Sequence, residues 1–274
     1  MPASLTETRI DTALGKVQVY RGGPRTGQAL VYLHSATGEG AGLAVLERLA
    51  ETFDVLVPMF PGFGESEGIE GIDDIEDAVF HLLDVLDQLG LRSPSVMGMS
   101  LGGWMAAELA MRYPSSVRRL VLVNPAGLYV EGHPIKEIFG RQPAELAQDL
   151  FADQGHPMAQ MMYGVQAIMD AKGEIPFELM KPTLQSLAAT AKVAWNPYLH
   201  DPKLRRLLYR VTAPTLIVHG AADRLIGRAH AEAYAEAIPD AHLVDVEGAG
   251  HLLALEKPAE LAELVTGFLA GAQP

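Results

Sequence analysis

Six short apolar runs, each ending in a loop rich in glycine, proline or polar residues, constrain this chain more than any other feature. They are Ala29 to Leu33, Asp54 to Pro58, Ser95 to Gly98, Leu120 to Val123, Ala213 to His219 and His242 to Val246. Continuous runs of this length suit strands buried on both faces. Helical spacing falls between them, at Leu43 to Ala50, Trp104 to Met111, Ala229 to Ala237 and Pro258 to Leu269. From Asp73 to Leu89 the apolar residues Ile75, Val79, Leu82, Leu83, Leu86 and Leu89 recur at steps of three and four, with acids at the start where the helix dipole favours them. Alternating strand and helix signals imply parallel strands joined by right-handed crossovers. Ahead of them, residues 7–22 alternate polar and apolar around Ala13-Leu14-Gly15-Lys16, which predicts an antiparallel hairpin.

Residues 126–206 break the rhythm. They hold helical patterns without a buried strand, and Met158, Met161, Met162, Met169 and Met180 all fall there. Such a block reads as a helical cap inserted into a single core made of residues 1–125 and 207–274. Methionine packs adaptably, so the stripe serves either cap packing or an apolar pocket.

Composition excludes several functions. The formal net charge of −13, with acids scattered along 274 residues, argues against a nucleic-acid partner. The absence of cysteine rules out thiolate metal sites, a cysteine nucleophile and disulfides. The first residues lack a basic segment followed by an apolar run, and no stretch approaches the roughly 20 apolar residues of a membrane span, so a cytoplasmic protein without a membrane partner is expected.

Chemistry concentrates at Gly98-Met99-Ser100-Leu101-Gly102. A serine between a strand and a helix, with a glycine two residues to either side, fits a sharp turn that lifts the hydroxyl above the sheet edge. Asp223 and His251 also follow apolar runs, so the C-terminal edge of a parallel sheet would gather all three. A serine hydroxyl needs a base near pH 7. His251 would accept its proton, and Asp223 would fix the imidazole tautomer. Asp245 and Glu247 flank the His251 turn and are alternatives to Asp223, whereas Asn124, at another strand end, cannot serve as an anion. His34 and His219 read as structural. His133, His156 and His200 lack metal-ligand spacing, so no metal is expected. Asp73, Asp74, Glu76 and Asp77 read as a solvated helix start, and Arg205, Arg206 and Arg210 as partners of surface acids, with carboxylate binding as the alternative.

Five motifs carry a resemblance: YLHS at 32–35, PGFGES at 61–66, GMSLGG at 98–103, HGAADRL at 219–225 and GAGH at 248–251. Through them nearly the whole chain resembles the α/β-hydrolase superfamily. The resemblance implies a mostly parallel twisted sheet of about eight strands, with helices on both faces and an inserted helical cap. It makes Ser100 the nucleophile, Asp223 the acid and His251 the base, and builds an oxyanion hole from the backbone N–H groups of Leu101 and Ala36. Ser35 stands where the family usually has glycine. Relatives that open epoxides or displace halide are expected to carry aspartate at position 100, so an acyl-serine route on a carboxylic ester, with a small-molecule substrate and no cofactor, is the leading reading. Carbon–carbon cleavage of a dienoic diketone ranks second, because Leu252 follows His251 and the oxyanion loop is HSATGEG. Peracid chemistry, acyl transfer to alcohols and a non-catalytic binding member of the fold are further alternatives. Ser35, Met99, Met162, Trp195 and Leu252 are the candidate pocket residues, with Phe139, Phe151, Tyr163 and Tyr198 also available.

Overall fold

Five of the six apolar runs form strands that bury almost every side chain they carry; the sixth, His242 to Val246, lies at the sheet margin, where only Val246 is buried, so it is not the strand covered on both faces that its composition predicts. The computed structural model describes residues 4–271. Its strands are β1 (Thr6–Thr12), β2 (Gly15–Gly22), β3 (Ala29–Leu33), β4 (Asp54–Pro58), β5 (Ser95–Met99), β6 (Arg119–Val123), β7 (Thr215–Gly220) and β8 (Ala241–Val246). All residues of β4, β5 and β7 are buried, as expected of central strands covered on both faces. The hairpin strands β1 and β2 add an antiparallel margin, and the sheet order is β1-β2-β4-β3-β5-β6-β7-β8. From β4 to β8 every pairing is parallel.

The helices are α1 (Ala44–Leu49), α2 (Ile75–Gln88), α3 (Leu101–Arg112), α4 (Pro143–Leu150), α5 (Pro157–Asp170), α6 (Phe177–Ala194), α7 (Leu204–Leu207), α8 (Arg228–Ala237), α9 (Leu253–Glu256) and α10 (Pro258–Leu269). Helix α1 packs with α9 and α10, while α2 packs with α3. The acids before α2 act as a cap: the Asp74 carboxylate accepts from the N–H groups of Glu76 and Asp77, worth about 1 kcal/mol. Helix α3 begins at Leu101, three residues before the alanine-rich stretch that predicts it. Gly102 and Gly103 are poor helix formers, and they are helical because of what packs against them.

Register decides where chemistry can gather. Leu33 pairs with Gly98, Met99 with Val123, Val123 with Val218 and Gly220 with Val246. The residues that follow β3, β5, β6, β7 and β8 therefore emerge along one edge, although they are far apart in sequence. No helix among the described residues is long and apolar enough to cross a membrane.

Candidate active site

Ser100 sits between β5 and α3 with φ 54° and ψ −112°, outside the regions that ordinary residues favour. Its N–H donates to the Val123 carbonyl at 2.9 Å, and its own carbonyl accepts from Trp104 and Ala126. Packing explains the flanking glycines. A Cβ on Gly98 would lie 2.2 Å from the Gly102 oxygen, and one on Gly102 would lie 2.1 Å from the Leu33 oxygen. The same closeness brings the loop after β3 against the first turn of α3. Ser100 is 7% exposed, at the positive end of that helix.

The imidazole of His251 bridges the other two residues. Its Nε2 is 2.9 Å from Ser100 Oγ and its Nδ1 is 2.8 Å from Asp223 Oδ2. With Asp223 ionised, Nδ1–H donates to the carboxylate and Nε2 is left to accept the serine proton. The other oxygen, Asp223 Oδ1, accepts from the N–H groups of Leu225 and Ile226 at 2.8 and 2.9 Å, so the carboxylate cannot swing away. Asp245, the sequence alternative, instead meets His219 Nδ1 at 3.2 Å and pairs with Arg228.

Asn124 has a larger part than its exclusion as an acid foretold. It lies at the end of β6 with φ 43° and no exposure, and its Nδ2 donates to the carbonyls of Gly250 at 3.1 Å and His251 at 2.8 Å. Its Oδ1 accepts from Gly220 N–H at 2.9 Å. One amide thus ties the ends of β6 and β7 to the His251 turn. Asparagine tolerates this backbone conformation, which was the only local signal available.

The loop after β3 is held from two sides. His34 is buried; its Nδ1–H donates to the Ser35 carbonyl, and its Nε2 accepts from Phe60 N–H at 2.9 Å. Burial lowers its pKa, so the ring stays neutral and serves as the structural clamp the sequence predicts. Glu39, unremarked in the sequence, accepts from Tyr32 Oη–H, Ser35 N–H, Ser35 Oγ–H and Thr37 Oγ1–H. Behind the turn at Ser100, Glu108 is fully buried between Trp104 Nε1 and Arg112 Nε, both at 3.0 Å. Burial pushes its pKa up to about 7 against the pull of those two donors.

The helices between β6 and β7 meet this edge at several points. Leu252 N–H donates to the Leu150 carbonyl at 3.1 Å, and Glu256 joins Gly250 N–H to Asp153 N–H. A side chain on Gly62 would meet Ala189 of α6 at 2.8 Å. Of the candidate pocket residues, Ser35, Met99 and Leu252 are buried and Met162 is half-buried. Trp195 is 62% exposed and lies against Phe139, with ring centres 5.2 Å apart. Arg205 pairs with Glu236 at 3.4 Å, and Arg210 donates to the Met111 carbonyl.

A hydroxyl, a base and an orienting carboxylate in this order can activate the hydroxyl as a nucleophile. Comparisons with known proteins place the chain among hydrolases. A 2-hydroxymuconate semialdehyde hydrolase of Pseudomonas putida is 30% identical over 236 residues, covering 82% of this chain and 80% of that protein. A carboxylesterase of Bacillus subtilis (strain 168) is 25% identical over 276 residues, covering 96% and 87%. Another match, a bifunctional biotin-biosynthesis protein of Teredinibacter turnerae, is much longer, and the chain spans 41% of it. Among solved structures, a 2-hydroxy-6-oxo-6-phenylhexa-2,4-dienoate hydrolase from Rhodococcus sp. strain RHA1 superposes with a TM-score of 0.79 at 21% identity over 98% of this chain and 100% of that one. The model of the alpha/beta hydrolase fold matches residues 28–258, most of the chain, and with the sheet order and the edge just described it identifies this protein as a member of the alpha/beta hydrolase family.

Proposed function

We propose that this hydrolase cleaves a carboxylic ester through an acyl-serine intermediate, with Ser100 as nucleophile, His251 as general base and acid, and Asp223 as its orienting carboxylate. The observation that carries the reading is the unbroken relay from Ser100 Oγ to His251 Nε2 at 2.9 Å and from Nδ1 to Asp223 at 2.8 Å. In this mechanism Ser100 Oγ bonds to the ester carbonyl carbon while its proton passes to His251 Nε2. The carbonyl oxygen takes the electron pair, and the N–H groups of Leu101 and Ala36 stabilise the resulting oxyanion. Collapse breaks the bond to the alkoxy group, which leaves with the proton from His251. A water then gives its proton to His251, attacks the acyl carbon and releases the acid, and Ser100 regains its proton. No cofactor enters these steps.

We read residues 126–206 as the cap, with the substrate a small to medium, largely apolar ester bound beneath it. Apolar residues on α4, α5 and α6 and the contacts of this segment with the His251 turn support that reading. The second reading, cleavage of a carbon–carbon bond in a diketone-type substrate, is favoured by the similarity to 2-hydroxymuconate semialdehyde hydrolase. Both use the same three residues, so a substrate panel separates them. We expect turnover of p-nitrophenyl esters of short and medium acyl chains, covalent labelling of Ser100 by a fluorophosphonate, and a loss of about four orders of magnitude in Ser100→Ala. Turnover of a 2-hydroxy-6-oxo-dienoate, with the esters left untouched, would establish the second reading instead.

A further inference from the structure

The loop between β3 and α1 carries Ser35, and Glu39 meets it four residues later. Four donors converge on this one carboxylate. Oε1 accepts from Tyr32 Oη–H at 2.7 Å and Ser35 N–H at 2.8 Å, while Oε2 accepts from Ser35 Oγ–H at 2.6 Å and Thr37 Oγ1–H at 2.7 Å. Tyr32 is fully buried in β3, so the carboxylate is anchored to the sheet itself. The Ser35 carbonyl is fixed independently, by His34 Nδ1–H at 2.8 Å and Gly38 N–H at 3.1 Å.

These bonds act on the peptide between Ser35 and Ala36. A trans peptide points its N–H opposite to its C=O, so holding Ser35 at its N–H, its hydroxyl and its carbonyl sets the direction of Ala36 N–H. Among the described residues Ala36 N–H has no acceptor within the protein, as a group kept for a ligand requires. We propose that Glu39 is a positioning residue that aims Ala36 N–H at the developing oxyanion. The proposal rests on the reading of Ala36 as an oxyanion donor. A negative charge beside a forming oxyanion is electrostatically unfavourable, so the contribution of Glu39 comes from its acceptors and not from its charge.

Glutamine separates the two. Its Oε1 can accept from Tyr32 and Ser35 N–H, and its NH₂ can donate to the hydroxyls of Ser35 and Thr37, which are free to rotate. Glu39→Ala has neither capacity. On p-nitrophenyl butyrate, Glu39→Ala is expected to lose about 10²-fold in kcat with KM changed by less than about threefold, as for removal of one oxyanion donor. Glu39→Gln should recover to within about threefold of the unaltered enzyme. The rate of Ser100 labelling by a fluorophosphonate should fall and recover in the same order, which gives a readout independent of ester turnover. Melting curves of both variants identify any loss that comes from unfolding. A folded Glu39→Ala with unchanged kcat and labelling rate would overturn the proposal, and so would a folded Glu39→Gln as impaired as Glu39→Ala. If the unaltered protein leaves the ester intact but is labelled at Ser100, the ester reading falls while the labelling series still decides the role of Glu39.

Discussion

The edge where Ser100, Asp223 and His251 meet and the outer helices α5 and α6 are built by opposite rules. At the edge the three side chains are at most 9% exposed, and Asp223, His251 and Asn124 each hold two or more partners. On α5 only Ala159 is buried, while Met158, Met161, Ile168 and Met169 are 42 to 54% exposed. Helix α6 likewise exposes Phe177, Leu179 and Leu184. Directional bonds over-determine the first region, whereas the second holds apolar side chains with few constraints. Fixed geometry is thus concentrated at the sheet edge, and adaptability in α5 and α6.

Asp223→Asn should widen the contrast most. The asparagine oxygen can still take the N–H groups of Leu225 and Ile226, so the fold survives, but its NH₂ then faces His251 Nδ1. That forces the proton onto Nε2, where it blocks acceptance from Ser100, and kcat should fall about 10³- to 10⁴-fold with the melting temperature nearly unchanged. Kinetics beside a melting curve check this, and an unimpaired rate would move the acid to another carboxylate.

Asn124→Ala should affect stability as well as rate. It strips partners from Gly220 N–H and from the carbonyls of Gly250 and His251, and it leaves a less tolerant residue at φ 43°. A loss of about 3 kcal/mol in urea unfolding is expected, with a slower enzyme because the His251 turn is released. Retention of both quantities would show that the edge is less interlocked than its bonds indicate.

The smallest effect belongs to the other region. Met161→Gln or Leu179→Gln should stay within about 0.5 kcal/mol of the unaltered protein. The expected change is in the ratio of kcat/KM between a medium-chain and a short-chain p-nitrophenyl ester. A loss of several kcal/mol would mean that these side chains are packed in solution, and the comparison would fail.

The same division governs what the sequence reveals. The turn at Ser100 is legible because Gly98 and Gly102 are forced by carbonyl oxygens 2.1 to 2.2 Å from where a Cβ would stand, and that need leaves a fixed spacing. Asp223 and His251 are legible because each follows an apolar run that ends at the shared edge, although only the run before Asp223 is fully buried. Asn124 is not, since its three partners lie 96 to 127 residues away and only register unites them. Glu39 looks like an ordinary polar loop residue until the hydroxyl of Tyr32 is seen to reach it. Trp195, suited by its size to a pocket, lies outside on Phe139, because helical spacing alone does not orient a helix bound on few sides.

The unusual φ and ψ of Ser100 have an evolutionary consequence. The conformation is imposed by the glycines and by the strands around them, so a different side chain at this position meets much the same backbone. The turn at Ser100 behaves as a socket whose shape is inherited from its neighbours and whose occupant is a single exchangeable side chain. A new side chain can enter at position 100 without moving the backbone, while either glycine is a dead end for drift, since the smallest added methyl would collide with main chain on which the whole sheet depends.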